Sequence, residues 1–163
     1  GDEYRWMTKK DIPKSIGRIS TFMGNGAILL RAYIYAIMLG RDGMHRVADN
    51  AALAANYVMA KLSKAGFTLA YPERRASHEF IITFSKEYKQ YHLTAADFAK
   101  RLLDFDIHSP TMYFPLIIPE CWLIEPTETE SKLALDRFIK IMIHILDSVK
   151  DDADIVKQAP HHS

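Results

Sequence analysis

Cysteine is scarce in this 163-residue sequence, which contains only Cys121, so an internal disulfide and a cysteine-based metal cluster are excluded. Neither sign of charge is in excess, because 21 lysines and arginines face 20 aspartates and glutamates. No broad electrostatic field therefore favours nucleic acid, an anionic membrane or an acidic substrate. No stretch reaches the roughly 20 apolar residues that span a bilayer, and residues 1–10 lack the apolar core of a signal peptide. We expect a soluble, cytoplasmic protein.

The signatures of several common catalytic sites are also missing. The sequence has no GxSxG, HExxH, CxxC or GxxxxGK[ST] motif, and no GxGxxG after a strand. Its seven histidines are scattered, and only His161 and His162 are adjacent. We therefore expect no resident metal site.

Hydrophobic residues make up 48% of the chain, which is enough to bury the core of one domain. Residues 1–24 are mixed and polar, and they are interpreted as an extended arm leading to a domain that spans residues 25–163. The chain begins with glycine and closes on residues 160–163 without a structural stop signal. Both ends are therefore expected to be cut points in a longer protein.

Two helices are predicted early in the domain. Residues 25–39 are almost uninterrupted apolar residues closed by Gly40, which predicts a helix buried on most sides. Residues 43–64 place apolar side chains three and four positions apart, and Gly66 follows as a C-terminal cap. Because the first helix is apolar on nearly all faces, we expect the isolated chain to self-associate or to bind a partner.

The second half predicts a small sheet with two more helices. Residues 79–85 are rich in β-branched and aromatic side chains and predict a buried strand, with residues 67–71 beside it and a brief strand at 122–124. Thr94 with Asp97, and Thr127 with Glu130, have the spacing of capping boxes that begin helices. The fold class is therefore α+β.

Two candidate binding features lie at the first helix. Gly24, Asn25 and Gly26 precede it, where free amides and the helix dipole favour a phosphate. The alternative is a glycine-rich helix entry with Asn25 as N-cap. Arg31 is the one charge within the apolar run, and it either binds an anionic ligand or forms an internal ion pair.

Two further groups contain titratable residues that could take part in chemistry. His78 and Glu79 stand at the entrance of a predicted strand, but adjacent strand residues point to opposite faces, which weakens a joint catalytic role. The carboxylates within residues 125–130 are explained by a helix N-terminus, where negative charge is stabilising.

Several longer motifs follow one another along the chain. In order they are PKSIGR at 13–18, then Phe22, Gly24 and Asn25, then RAY at 31–33, then Asn50, Ala51, Leu53, Asn56 and Tyr57, and then HEF at 78–80, AKRLLD at 99–104, HSPTM at 108–112, EPTETE at 125–130 and APH at 159–161. In this order they resemble the C-terminal portion of the second subunit of the two-subunit glycine decarboxylase P-protein, part of the glycine cleavage system. Ile12 and Gly26 depart from the family pattern.

The resemblance implies a type I pyridoxal-phosphate fold whose C-terminal small domain closes over a site in a large domain. It implies that the large domain is missing here, since the family's cofactor lysine follows a histidine and this sequence has no His-Lys pair. The implied oxidoreductase decarboxylates glycine and passes the aminomethyl group to lipoamide on the H-protein. The implied partners are the other P-protein subunit, in a heterodimer or heterotetramer, and lipoylated H-protein.

The resemblance also ranks the candidate residues. It raises the phosphate interpretation of Gly24, Asn25 and Gly26 to equal standing with the N-cap interpretation. It makes His78 and Thr111 candidates for lining the substrate cleft, without assigning a chemical step to either. Arg31, through its anion-binding alternative, is a third cleft candidate. The chain alone is expected to be inactive. A non-catalytic interaction module and the small domain of another type I enzyme, such as an aminotransferase or a cysteine desulfurase, stay open as alternatives.

Overall fold

The computed structural model describes residues 3–17, 19–20 and 22–162. Its helices and strands are, in chain order, α1 (Gly26–Lys64), β1 (Thr68–Leu69), β2 (Phe80–Thr83), α2 (Ser85–Tyr91), α3 (Ala95–Leu103), β3 (Thr111–Met112), β4 (Cys121–Ile124), α4 (Lys132–Asp151) and α5 (Asp154–Lys157). The predicted α+β class is confirmed. Among the described helices, none combines the length and apolar character needed to cross a membrane.

The chain divides into two compact units, Gly1–Met44 and His45–Ser163. In the first unit, the polar segment before α1 contains a local turn. The carboxylate of Asp11 accepts hydrogen bonds from the backbone N–H of Thr8 at 2.8 Å and from the guanidinium of Arg5 at 2.7 Å. The predicted boundary between residues 24 and 25 is not tested by this division and stays a prediction.

Helix α1 is interrupted at Gly40, where φ is 62° and ψ is −175°. A positive φ of this kind is readily adopted by glycine and strains other residues. The predicted separation into two helical segments is therefore confirmed, with the break at the predicted glycine.

The first segment of α1 is helical, but the expectation that it is buried on most sides is wrong for this chain. Ile37 is 62% exposed and Met38 is 80% exposed. The apolar run predicts burial correctly only where other chain segments cover the helix, and here these side chains face solvent.

We predict that this exposed segment drives association of the isolated chain. Removing apolar surface from water is favourable by roughly 25 cal/mol per Å². Sedimentation velocity should therefore show species larger than the monomer, and replacing Ile37 by Lys together with Met38 by Glu should shift them toward the monomer. A wild-type chain that sediments as a compact monomer would contradict the prediction.

In the second unit, α1 ends in a Schellman motif. Gly66 has a φ of 106°, the N–H of Phe67 donates to the carbonyl of Leu62 at 3.1 Å, and the N–H of Gly66 donates to the carbonyl of Ser63 at 3.1 Å. These two bonds satisfy carbonyls that a helix end otherwise leaves unpaired. The predicted cap at Gly66 is confirmed.

The four strands form an antiparallel sheet in the order β1-β2-β4-β3. On its inner face, Ile82 lies opposite Trp122, and both side chains are fully buried. Residues paired across neighbouring strands share a face, so Ile81, Leu123 and Thr111 all lie on the outer face. Leu123 of β4 pairs with Ile81 of β2 and with Thr111 of β3. The predicted strands at 67–71 and 79–85 are confirmed in shorter form, and the strand predicted at 122–124 is confirmed and begins one residue earlier.

The inner face of the sheet packs against α3 through an aromatic cluster. The ring of Phe84 stacks on Phe98 with centroids 4.2 Å apart and meets Trp122 edge-on at 4.8 Å. The indole N–H of Trp122 donates to the carbonyl of Ala95 at 3.1 Å, and the N–H of Ala95 donates to the Glu120 carboxylate at 2.7 Å. Helix α3 is thus fixed to β4 by packing and by two hydrogen bonds.

The two predicted capping boxes have different outcomes. The box at α3 is confirmed, since the N–H of Asp97 donates to the Thr94 hydroxyl oxygen at 3.2 Å and the N–H of Thr94 donates to the Asp97 carboxylate at 2.9 Å. The box at Thr127 is wrong, because Ser131 caps α4 by accepting the N–H of Ala134 at 3.1 Å. The segment at Thr127 forms a separate turn.

Three short elements were not predicted: α2, β3 and α5. Helix α2 is almost entirely polar, so it lacks the apolar periodicity that predicts a helix. Strand β3 has two residues and forms only because it pairs with β4. Short elements of this kind depend on tertiary contacts more than on local sequence.

The corrected cap of α4 makes a direct prediction. Replacing Ser131 by Ala removes the side-chain acceptor at the helix start and should lower the free energy of unfolding by about 1 kcal/mol. Thr127→Ala is the matched control, expected to change it by less than about 0.5 kcal/mol. Urea unfolding measures both variants. A larger loss of unfolding free energy in Thr127→Ala than in Ser131→Ala would indicate that Thr127 caps α4.

The C-terminal segment is held against α3 by one buried carboxylate. The side chain of Asp104 is 2% exposed and accepts hydrogen bonds from Arg101 Nη1 at 2.6 Å, from the N–H of His162 at 2.9 Å and from the N–H of His161. The Nδ1 of His161 lies 2.9 Å from the same carboxylate. Burial by itself raises the pKa of Asp104, but these hydrogen bonds outweigh it and hold the pKa well below its ordinary value.

We predict that Asp104→Asn lowers the free energy of unfolding by about 2 kcal/mol at neutral pH, since bonds to a charged acceptor are lost. The folded-state pKa is depressed, so this stabilisation is complete above the ordinary aspartate value of about 4 and is lost as pH falls through the folded value. The difference between wild type and variant should stay constant from pH 7 to 5 and shrink at lower pH. Urea unfolding over this range measures it, and a difference that grows on acidification would contradict the assignment.

Candidate functional site

A cleft of about 820 Å³ opens in the second unit beside β3, β4 and the start of α4. Its apolar lining includes Val58, Leu123 and Phe138. The polar residues that line it are Asp106, His108, Ser109, Thr111, Glu125, Glu130, Ser131 and Arg137. An apolar surface with a limited set of polar groups is the usual composition of a ligand site.

The topology of the sheet explains why these residues meet. Phe80 pairs with Ile124 and Thr111 pairs with Leu123, so the starts of β2 and β3 lie at the same edge as the end of β4. Residues just before β2, just before β3 and just after β4 are therefore neighbours. This edge collects residues 78–79, 108–110 and 125–126.

The walls of the cleft are joined to one another. The guanidinium of Arg137, on α4, donates to the carbonyl of Phe105, just beyond α3, at 2.8 Å. The hydroxyl of Tyr57, on α1, donates to the carboxylate of Asp136, which also accepts from Lys132 Nζ at 2.6 Å. The hydrogen bonds from Lys132 and Tyr57 lower the pKa of Asp136. Helices α1 and α4 are thereby connected behind the cleft.

His78 lies next to the cleft and contacts one of its lining residues. Its Nδ1 is 3.1 Å from the hydroxyl of Ser77, and its Nε2 is 3.8 Å from the Glu79 carboxylate and 4.0 Å from that of Glu125. Glu125 lines the cleft together with Thr111. The structure thus brings His78 and Thr111 to the same sheet edge, on either side of Glu125.

The loop that carries His78 is attached to α1 by Asn56. The side-chain amide of Asn56 donates to the carbonyl of Ala76 at 2.8 Å, and its oxygen accepts the N–H of Ala76 at 3.1 Å. Sequence reasoning missed this residue as a site candidate. The sequence feature that could have indicated it is that Asn56 is the single amide side chain within the apolar stretch of residues 51–60.

The remaining candidates lie in the first unit. The side chain of Asn25 accepts the N–H of Ala27 at 3.0 Å and that of Ile28 at 3.4 Å, so the N-cap interpretation is confirmed. The phosphate contact predicted for Gly24, Asn25 and Gly26 stays a prediction. Arg31 is exposed, so it does not carry the buried charge that would demand an internal partner. Its predicted place in a substrate cleft is untested.

The sequence matches a known protein family and several known proteins. Residues 47–161 match the family model described as glycine dehydrogenase, C-terminal domain. Proteins named "Probable glycine dehydrogenase (decarboxylating) subunit 2" are similar over 158 residues, or 97% of this chain: that of Coxiella burnetii is 58% identical, that of Legionella pneumophila 57% and that of Nitrosospira multiformis 60%.

These matches cover 32% of the Coxiella burnetii and Nitrosospira multiformis proteins and 33% of the Legionella pneumophila protein. The chain therefore spans about a third of the length of the curated relatives that it matches. The match is continuous over the sheet, the cleft and the C-terminal segment. On this match and these identities, the chain belongs to the family of glycine dehydrogenase C-terminal domains.

Proposed function

We propose that this chain forms the small-domain part of a pyridoxal-phosphate-dependent glycine decarboxylase. In this proposal residues 1–24 are the arm that leads from a large cofactor domain, and residues 25–163 are the small domain. The complete enzyme, in the cytoplasm, removes carbon dioxide from glycine and transfers the aminomethyl group to lipoamide of the H-protein. The name "subunit 2" in the relatives supports a second subunit as partner.

One observation carries the proposal: three separated motifs converge at one edge of the sheet. His78 belongs to the first motif, Thr111 to the second and Glu125 to the third, and the pairing of β2, β3 and β4 places all three at the edge beside the cleft. Segments that a fold brings together around a cavity are better candidates for ligand contact than segments that it disperses.

The residues at this edge bind and orient. The hydroxyl of Thr111 and the imidazole of His78 are each able to donate or accept a hydrogen bond. Polar contacts made beside the apolar part of the lining are stronger than the same contacts in water. These roles match a small domain that closes over a site built largely by other residues.

The described residues fit only a phosphate contact with pyridoxal phosphate, and not the whole cofactor. The sequence has no His-Lys pair, and the Asn25 side chain already occupies the amides of Ala27 and Ile28. A phosphate at residues 24–26 would accept hydrogen bonds from backbone N–H groups that do not donate to the Asn25 side chain. When bound, the cofactor supplies the electron sink for decarboxylation.

A chimera tests the proposal. The matched third of the Coxiella burnetii protein is replaced by this chain, and exchange of labelled carbon dioxide into glycine is measured with H-protein and the partner subunit. We expect kcat/KM within about tenfold of the unsubstituted protein, since a tenfold change corresponds to a change of only about 1.4 kcal/mol in the activation free energy. The 163-residue chain alone should show no exchange.

Variants of the chimera separate cleft contacts from general stability. Thr111→Val and His78→Gln each remove a hydrogen-bonding group and should lower kcat/KM by about tenfold or more. His45→Gln, at an exposed histidine outside the cleft, is the control and should have no effect. A folded, cofactor-loaded chimera without exchange activity would overturn the proposed function, and full activity in both cleft variants would overturn the roles of these two residues.

A further inference from the structure

The contacts of Asn56 extend beyond its place in α1. Its two amide hydrogens donate to the carbonyls of Ala52 and Ala76, each at 2.8 Å, and its oxygen accepts the N–H of Ala76 at 3.1 Å. Both donors and the acceptor of the amide are therefore used. Toward Ala76, the side chain imitates the paired N–H and C=O of a neighbouring β-strand.

We propose that Asn56 is a positioning residue for His78, an inference that rests on the proposed function of the cleft. Asn56 stands on a segment of α1 that is anchored in the core, since its neighbours Ala55 and Val58 are both fully buried. The pairing with Ala76 transmits this fixed position to the loop that enters β2. His78 follows two residues later.

The ring of His78 is then oriented by groups that come from two strands. Ser77 lies against Nδ1, while Glu79 before β2 and Glu125 after β4 lie near Nε2. The same loop carries the cations Arg74 and Arg75. The two hydrogen bonds between Asn56 and Ala76 connect the loop that carries the ring to helix α1.

A purely structural role for Asn56 is the competing explanation, and it makes different predictions. If Asn56 only stabilises the loop, its loss affects the enzyme whether or not His78 is present. If it acts through His78, its loss has no further effect once His78 is replaced, because coupled residues are non-additive.

The first test uses NMR on the 163-residue chain. Asn56→Ala should shift the ring signals of His78 and speed hydrogen exchange of the Ala76 N–H by about tenfold or more, as expected for one lost hydrogen bond. Asn50→Ala, at an exposed position of the same helix, should change neither. Asn56→Asp keeps the acceptor, so it should retain protection of the Ala76 N–H if the alanine variant folds poorly. Unmoved His78 signals in Asn56→Ala overturn the inference.

The second test is a double-mutant cycle in the chimera. Asn56→Ala should lower kcat by about tenfold in the wild-type background and have little effect beside His78→Gln. Additive losses would show a structural role and overturn the inference. The two tests distinguish a failure of the proposed function from a failure of the positioning role. If no chimera has exchange activity but Asn56→Ala still shifts the His78 signals, the proposed function alone is refuted. If the chimera is active but Asn56→Ala leaves the His78 signals unchanged, the positioning role alone is refuted.

Discussion

The burial of Trp122 in the central strand β4 is the constraint on which the second unit depends. Its ring fills the inner face of the sheet against Phe84, and its N–H needs a partner because an unpaired buried donor is unfavourable by about 1–3 kcal/mol. The carbonyl of Ala95 provides that partner. One residue thus fixes both the packing distance and the register of α3 against the sheet.

This arrangement assigns different tasks to the two faces of the sheet. The inner face is apolar and buried. The register between β2 and β4 sets the positions of all residues along β4. The outer face carries Ile81, Leu123 and Thr111, and at one edge of the sheet it meets the cleft. The candidate site is therefore located by strand pairing, and the buried inner face stabilises that pairing.

The charged groups of the second unit are unequal in their effect. The carboxylate of Asp104 is almost fully buried and receives donors from α3 and from the C-terminal segment, so it connects two parts of the chain. The pair of Lys150 with Asp147 is exposed and lies within one helix. Solvent screens an exposed pair of this kind, so the buried carboxylate contributes more to the electrostatic stabilisation of the C-terminus.

The sequence by itself determined the features that depend on near neighbours: the break at Gly40, the caps at Thr94 and Gly66, the main strands and the order of motifs that indicates the family. It failed at Thr127, where Ser131 supplies a competing cap, because local spacing does not decide between two adequate caps. Only the tertiary structure decided that His78 meets Glu125 and that Asn56 pairs with Ala76. These contacts join segments far apart in the chain, and strand register and helix packing bring them together.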